Sequence, residues 1–206
     1  KGISPILAAV LVVAFTTVVT MCMVDGITKK SVAAMLGTII GVVFSGAFAL
    51  IFGQVTSITG YNVSDIENLV YVGEMTDIKI GELLFAGILI ASLGAVMDVG
   101  MSIASTLNEL KEQNPQMMLK ELFQSGMNVG RDMMRTMTNT LILAFTGGSI
   151  NTLVFIFAYN YEYQQVINMY SVGIEIMQGL SSSLGVIMAV PVTSWIAAFL
   201  YSKNQK

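Results

Sequence analysis

Histidine is absent from the 206 residues, cysteine occurs once, tryptophan once and proline three times. Without histidine the chain lacks the commonest metal ligand and the usual general base near neutral pH. A lone Cys22 excludes an internal disulfide framework. Charge is scarce as well: 11% of residues are Asp, Glu, Lys or Arg, where a soluble domain carries about 25%. No Gly-x-x-x-x-Gly-Lys loop occurs, so phosphate-cradling nucleotide chemistry is not encoded. The net charge of −3 gives no reason to expect a nucleic-acid partner.

What is present is apolar. Hydrophobic residues make up 54% of the chain, and the mean hydropathy is +0.74. The apolar runs are continuous and about twenty residues long, which predicts membrane-crossing helices and not barrel strands. The expected fold is therefore all-α: a single polytopic transmembrane helical bundle over 1–206. Five spans are expected, at about 3–24, 31–52, 81–107, 133–158 and 181–201. The last has an alternative start near Tyr170. Residues 116–129 have the apolar spacing of a short helix lying on the inner membrane surface.

Lys and Arg mark the cytoplasmic side. Lys29 and Lys30 lie between the first two spans. Lys111, Lys120 and Arg131 lie between the third and fourth, and Lys203 and Lys206 follow the fifth. The other two connections hold acids, namely Asp65, Glu67, Glu74 and Asp77 in one and Glu162 and Glu175 in the other. This pattern predicts the N-terminus outside and the C-terminus inside. An external start without a cleavable leader predicts a further span and an external domain upstream. Tyr159, Tyr161, Tyr163 and Tyr170 read as an interfacial aromatic belt.

One acid stands inside an apolar run. Asp98 lies in the inner half of the third span, where a carboxylate costs about 2.5–3.5 kcal/mol on insertion scales. Gly87, Ala91, Gly94, Asp98, Ser102, Ser105 and Glu109 recur at steps of three or four, so they form one small and polar stripe. That stripe is expected to face protein or water. The fourth span offers Asp132, Arg135, Thr136, Asn139 and Thr140, and the fifth offers Ser182, Gly185, Ala189 and Thr193. Spans three to five should then enclose a polar interior. A relay of Asp98, Asn139, Thr136, Thr140 and Ser102 is expected there, with Ser182, Glu175, Arg135, Asp132, Asn108 and Glu109 around it. Arg131, Asp132 and Arg135 are read as an interfacial ion-pair cluster. Glu175 is either the outer end of an ion path or an exposed loop acid.

The order of these features resembles a family. GAVMD at 94–98, NEL at 108–110, ELFQSGMN at 121–128, GRDMMRTMTNT at 130–140 and Gly147-Gly148 look like the YibE/F family of bacterial membrane proteins. More distantly, the intramembrane acid, the Arg135-Thr136 stretch, Gly147-Gly148, GLSS at 179–182 and Pro191 are similar to the membrane half of SecD and SecF. Those proteins belong to the resistance–nodulation–division (RND) superfamily. That resemblance implies an RND-like half lacking its first span, with the gradient-handling role falling on Asp98. It also implies that a sister membrane subunit or a second copy supplies what the chain lacks.

The expected function is thus the membrane-embedded subunit of a proton- or ion-gradient-driven transporter moving an unknown small substrate. The alternative is a non-transporting membrane assembly or secretion partner. An enzyme is not expected. A membrane aspartyl protease needs two facing carboxylates, and Asp132 and Glu175, the only candidates to face Asp98, lie near membrane surfaces. No cofactor and no metal are implied.

Overall fold

The computed structural model describes residues 4–63 and 66–202. Ile3, Asp65, Lys203 and Lys206, on which parts of the sequence reading rest, lie outside them. The described residues are all helix and short connections, with no strand among them. Helix α1 spans Pro5–Asp25 and α2 spans Lys29–Thr56. A 3-10 turn at Gly60–Asn62 and the short α3, Ile66–Thr76, follow. Then come α4 (Ile80–Gln113), α5 (Leu119–Gly148), α6 (Ile150–Ala158), α7 (Tyr163–Ile167) and α8 (Tyr170–Ser202).

Four of these helices, α1, α2, α4 and α8, are long and apolar enough to cross a membrane. The pair α5 and α6 qualifies as a fifth span, bent by 54° at Ser149. The chain turns between α1 and α2 at Gly26, whose φ of +68° suits a residue without a Cβ. Thr28 then caps α2, its hydroxyl accepting from the Ser31 amide at 3.2 Å. Asp25 and Lys30 form an ion pair across this turn.

The core is a triad of α2, α4 and α8, each packed on the other two. The contact of α2 with α8 is the most intimate, and the sequence explains it. Every fourth residue of α2 from Ala33 is small: Ala33, Gly37, Gly41, Ser45, Ala49 and Gly53, all buried. On α8 the matching row is Ser181, Gly185, Ala189, Thr193 and Ala197, also buried. Such rows let two backbones approach closely where the surrounding lipid gives no hydrophobic drive for association. A Cβ at Gly37 would lie 1.9 Å from Thr193 Oγ1, and one at Gly41 would lie 2.8 Å from the Ala189 Cβ. A Cβ at Gly185 would meet the Ser45 Cβ at 2.8 Å. Each pair sits one turn from the next, so the two rows run antiparallel in fixed register.

Helix α4 fits the second side of α2 in the same manner. Cβ atoms at Gly41, Gly46 and Gly53 would strike Val96, Leu89 and Phe85 at 2.7, 2.5 and 2.7 Å. Helix α1 packs on the edge formed by α4 and α2, and α5 on the edge formed by α8 and α4.

Two expectations about elements are corrected. Residues 116–129 do not form a separate surface helix, because α5 runs unbroken from Leu119 through Gly148. Its first half is instead packed against the core. A Cβ at Gly126 would lie 2.6 Å from Ser194 Oγ, and one at Gly130 would lie 2.2 Å from a Val190 methyl. The start at 181 is the second: α8 takes the alternative start at Tyr170 and continues through Pro191 to Ser202.

Candidate functional site

Depth along the bundle follows from α1, the shortest spanning helix. Its 21 residues rise about 31 Å, close to one hydrocarbon core. Ser4, just before it, donates its hydroxyl to the Glu82 carboxylate at the start of α4. At its other end Asp25 meets Lys30. Taking α1 and α4 as parallel, Asp98 lies about 24 Å below Glu82 by helical rise, in the last quarter before the Asp25 level. Asp98 therefore sits nearer the basic end of the bundle than its middle.

Helix α5 brings charge to the same level. Leu107 touches the site of a Gly126 Cβ at 3.1 Å. Nine residues back along α4 is Asp98, and nine forward along antiparallel α5 is Arg135. A second route runs through α8. Thr193 is close to Gly100, and Val190 to Gly130, which sets Gly130 level with Met97. By either route Asp98 lies beside the stretch 129–135 of α5. Asn139, expected at matching depth, is about a turn or more further along.

The stripe on α4 faces outward. Asp98, Gly87, Ala91, Gly94 and Glu109 are exposed, and Ser102 and Ser105 are half-buried. A Cβ at Gly87 or Gly94 would meet nothing within 4 Å. This open sector lies between the two neighbours α1 and α5, since α2 and α8 cover the opposite side of α4. On α5, Asp132, Arg135, Thr136, Asn139 and Thr140 are exposed too, as are Gly147 and Gly148. The polar rows of α4 and α5 are thus neighbours on one uncovered surface, and they do not enclose an interior.

The expected hydrogen-bonded relay of Asp98, Asn139 and threonine is therefore not formed among the described residues. Thr136 donates to the Asp132 carbonyl at 3.2 Å, and Thr140 to the Thr136 carbonyl at 3.0 Å. Each hydroxyl is satisfied by its own helix, a choice open to any helical threonine. Arg131, Asp132 and Arg135 make no ion pair among the described residues. Their side chains are all exposed on α5, where water or a partner is the alternative to a local mate. Asn108 donates to Glu112 at 2.7 Å and belongs to the charged end of α4. Glu175 is half-buried and lines a cavity between α5, α6 and α8.

The true polar interior is the contact of α8 with α2, and it reaches α4 and α5. Of the polar side chains expected in the interior, Ser182 and Thr193 are in it. Six hydroxyls there are fully buried and have no hydrogen-bond partner among the described residues: Thr38 and Ser45 on α2, and Ser181, Ser182, Thr193 and Ser194 on α8. Three of them sit in notches left by glycines of neighbouring helices. Thr193 fills that of Gly37, Thr38 that of Gly100 and Ser194 that of Gly126. They point across helix boundaries, unlike the back-bonded threonines of α5. Leaving a buried hydroxyl unpaired costs about 1–3 kcal/mol each. From Ser181 to Ser194 the row covers about 20 Å of depth. Sequence reasoning found the α8 row but treated α2 as bland and missed Thr38, Ser181 and Ser194. The strict period of four small residues in α2 was the available signal.

A bundle of apolar helices, long enough to cross a membrane and packed on a hydroxyl-lined core, defines a helical membrane protein. The model of the YibE/F-like protein family matches residues 1–203, nearly the whole chain, so the chain belongs to that family. The likeness extends past the third and fourth spans to both ends. No curated protein and no solved structure matches it.

Proposed function

We propose that the chain is the membrane-embedded subunit of a proton- or ion-gradient-driven transporter, with Asp98 as the group that takes up the ion. The observation that carries this reading is the exposed Asp98 carboxylate on α4, about three quarters of the way down the depth that α1 spans, beside the charged Arg131–Arg135 stretch of α5. Lipid tails are poor surroundings for such a group, whereas water or a partner's polar side chains are good ones. In this reading a sister membrane subunit or a second copy covers the α4 and α5 face. The unpaired hydroxyls between α2 and α8 support movement. That seam is held by small side chains, and water entering on separation would satisfy groups that packing leaves unsatisfied. The basic end then faces the bacterial cytoplasm, with five spans, the N-terminus outside and an RND-like arrangement. The small substrate passes through this core or through a domain that works with it.

The second reading is a non-transporting assembly partner. The same uncovered face favours it, with Asp98 as a hydrogen-bonding contact and no ion cycle. The two separate on Asp98→Asn. For a transporter, the assembled complex stays intact on a native gel while proton uptake by reconstituted vesicles under an imposed potential is lost. Uptake equal to wild type would refute the ion role, and loss of the complex itself would select the assembly reading.

A further inference from the structure

The cavity beside Glu175 is a site of a different kind, independent of the gradient-driven reading. It encloses about 560 Å³ between α5, α6 and α8. It lies where α6 departs from the α5 axis by 54° at Ser149, while α8 runs on unbroken. Its walls include Phe145, Leu153, Leu180, Leu184 and Ile187. Two of the hydroxyls in the wall are bonded to carbonyls of α5. Thr146 donates to the Ile142 carbonyl at 2.7 Å and Ser149 to the Phe145 carbonyl at 2.9 Å. The apolar lining therefore carries one ionisable side chain, Glu175, and no Lys or Arg. Glu175 makes no ion pair or side-chain hydrogen bond among the described residues.

The position of the acid sets the ligand. Glu175 lies about 7.5 Å from the start of α8, and nearby Gly173 is close to Ile58, just past the end of α2. The acid is thus at a mouth of the bundle, at headgroup level. From Glu175 to Ile187 the groove runs about 18 Å along α8, a little over one leaflet of a hydrocarbon core about 30 Å thick. We infer that this groove binds an amphiphile with an ammonium headgroup on Glu175 and one alkyl chain along α8. An alkyl chain gains little on leaving lipid for a protein wall that is equally apolar. Selectivity must then come from the headgroup, where a carboxylate accepts charge-assisted hydrogen bonds from an ammonium. The ammonium comes from a free amine or from an aminophospholipid, and the chemistry is the same.

The test uses the full chain in phosphatidylcholine nanodiscs and radiolabelled tetradecylamine. Wild type shows saturable binding that unlabelled tetradecylamine displaces and tetradecanoate does not. Glu175→Gln weakens that binding at least tenfold with an unchanged melting temperature. Gly179→Trp, which places a ring in the groove, removes it. Discs containing phosphatidylethanolamine distinguish the source: displacement of the amine assigns the site to a lipid headgroup, and no displacement assigns it to a free amphiphile. Absence of a saturable component, equal displacement by tetradecanoate, or wild-type binding by Glu175→Gln overturns the inference.

Discussion

Gly37→Ala is the sharpest test of the packing at the centre of the bundle. In an open helix this substitution stabilises by about 0.5–1 kcal/mol, because alanine loses less backbone freedom than glycine. At position 37 the added carbon would lie 1.9 Å from Thr193 Oγ1, 2.8 Å from its Cβ and 3.1 Å from its Cα. Rotating Thr193 removes only the first of these contacts. The other two involve atoms that move only with the backbone, so α2 and α8 must separate. Overpacking of this sort costs about 1–3 kcal/mol, and separation also loosens the Gly41 and Ser45 contacts in the same row. The net expectation is a loss of about 2 kcal/mol, set by the upper part of that overpacking range less the helix-propensity gain. Gly94→Ala is the paired control. Its added carbon meets nothing within 4 Å, so the isolated chain should gain about 0.5–1 kcal/mol. Unfolding in mixed micelles, followed by the fluorescence of the single Trp195, measures both. A Gly37→Ala chain as stable as wild type, or a Gly94→Ala chain equally damaged, would refute the reasoning.

Thr38→Val and Thr193→Val replace unpaired buried hydroxyls by methyl groups of the same shape, and each should stabilise the chain by about 1 kcal/mol. The same variants should slow ion uptake in reconstituted vesicles if the seam must hydrate. Gly130→Ala places a carbon 2.2 Å from a Val190 methyl and should cost about 1–3 kcal/mol. Hydrogen exchange should show α5 loosening before α2. Gly26→Ala, at φ +68° and ψ −168° with open space around it, should cost about 1–3 kcal/mol from backbone strain alone, and a thermal melt of the purified chain reads it.

The helices were legible in the sequence because nothing interrupts their apolar runs. Asp98 and the stripe through Gly94 and Ser102 were legible as one face, since helical spacing fixes that. Which way the face points was not. Helical spacing says which residues share a side, while the neighbours that cover it depend on the register of other helices. In α2, Gly37 and Gly41 fit Thr193 and Ala189 so closely that α8 docks there, and α4 takes the adjoining side. That leaves the α4 stripe with α1 and α5 as flanks and nothing in front. The merging of 116–129 into α5 was missed for a related reason. The apolar spacing of 116–129 fits a surface helix locally, but Gly126 and Gly130 are the notches into which Ser194 and Val190 fit.

The account turns on what meets Asp98 in the native membrane. A photoreactive side chain at position 94, one turn from Asp98 on the same open face, measures this directly when compared with one at Phe15 on the exposed apolar side of α1. The account predicts a discrete protein adduct from position 94 and lipid adducts alone from position 15. Lipid adducts alone from both would contradict it.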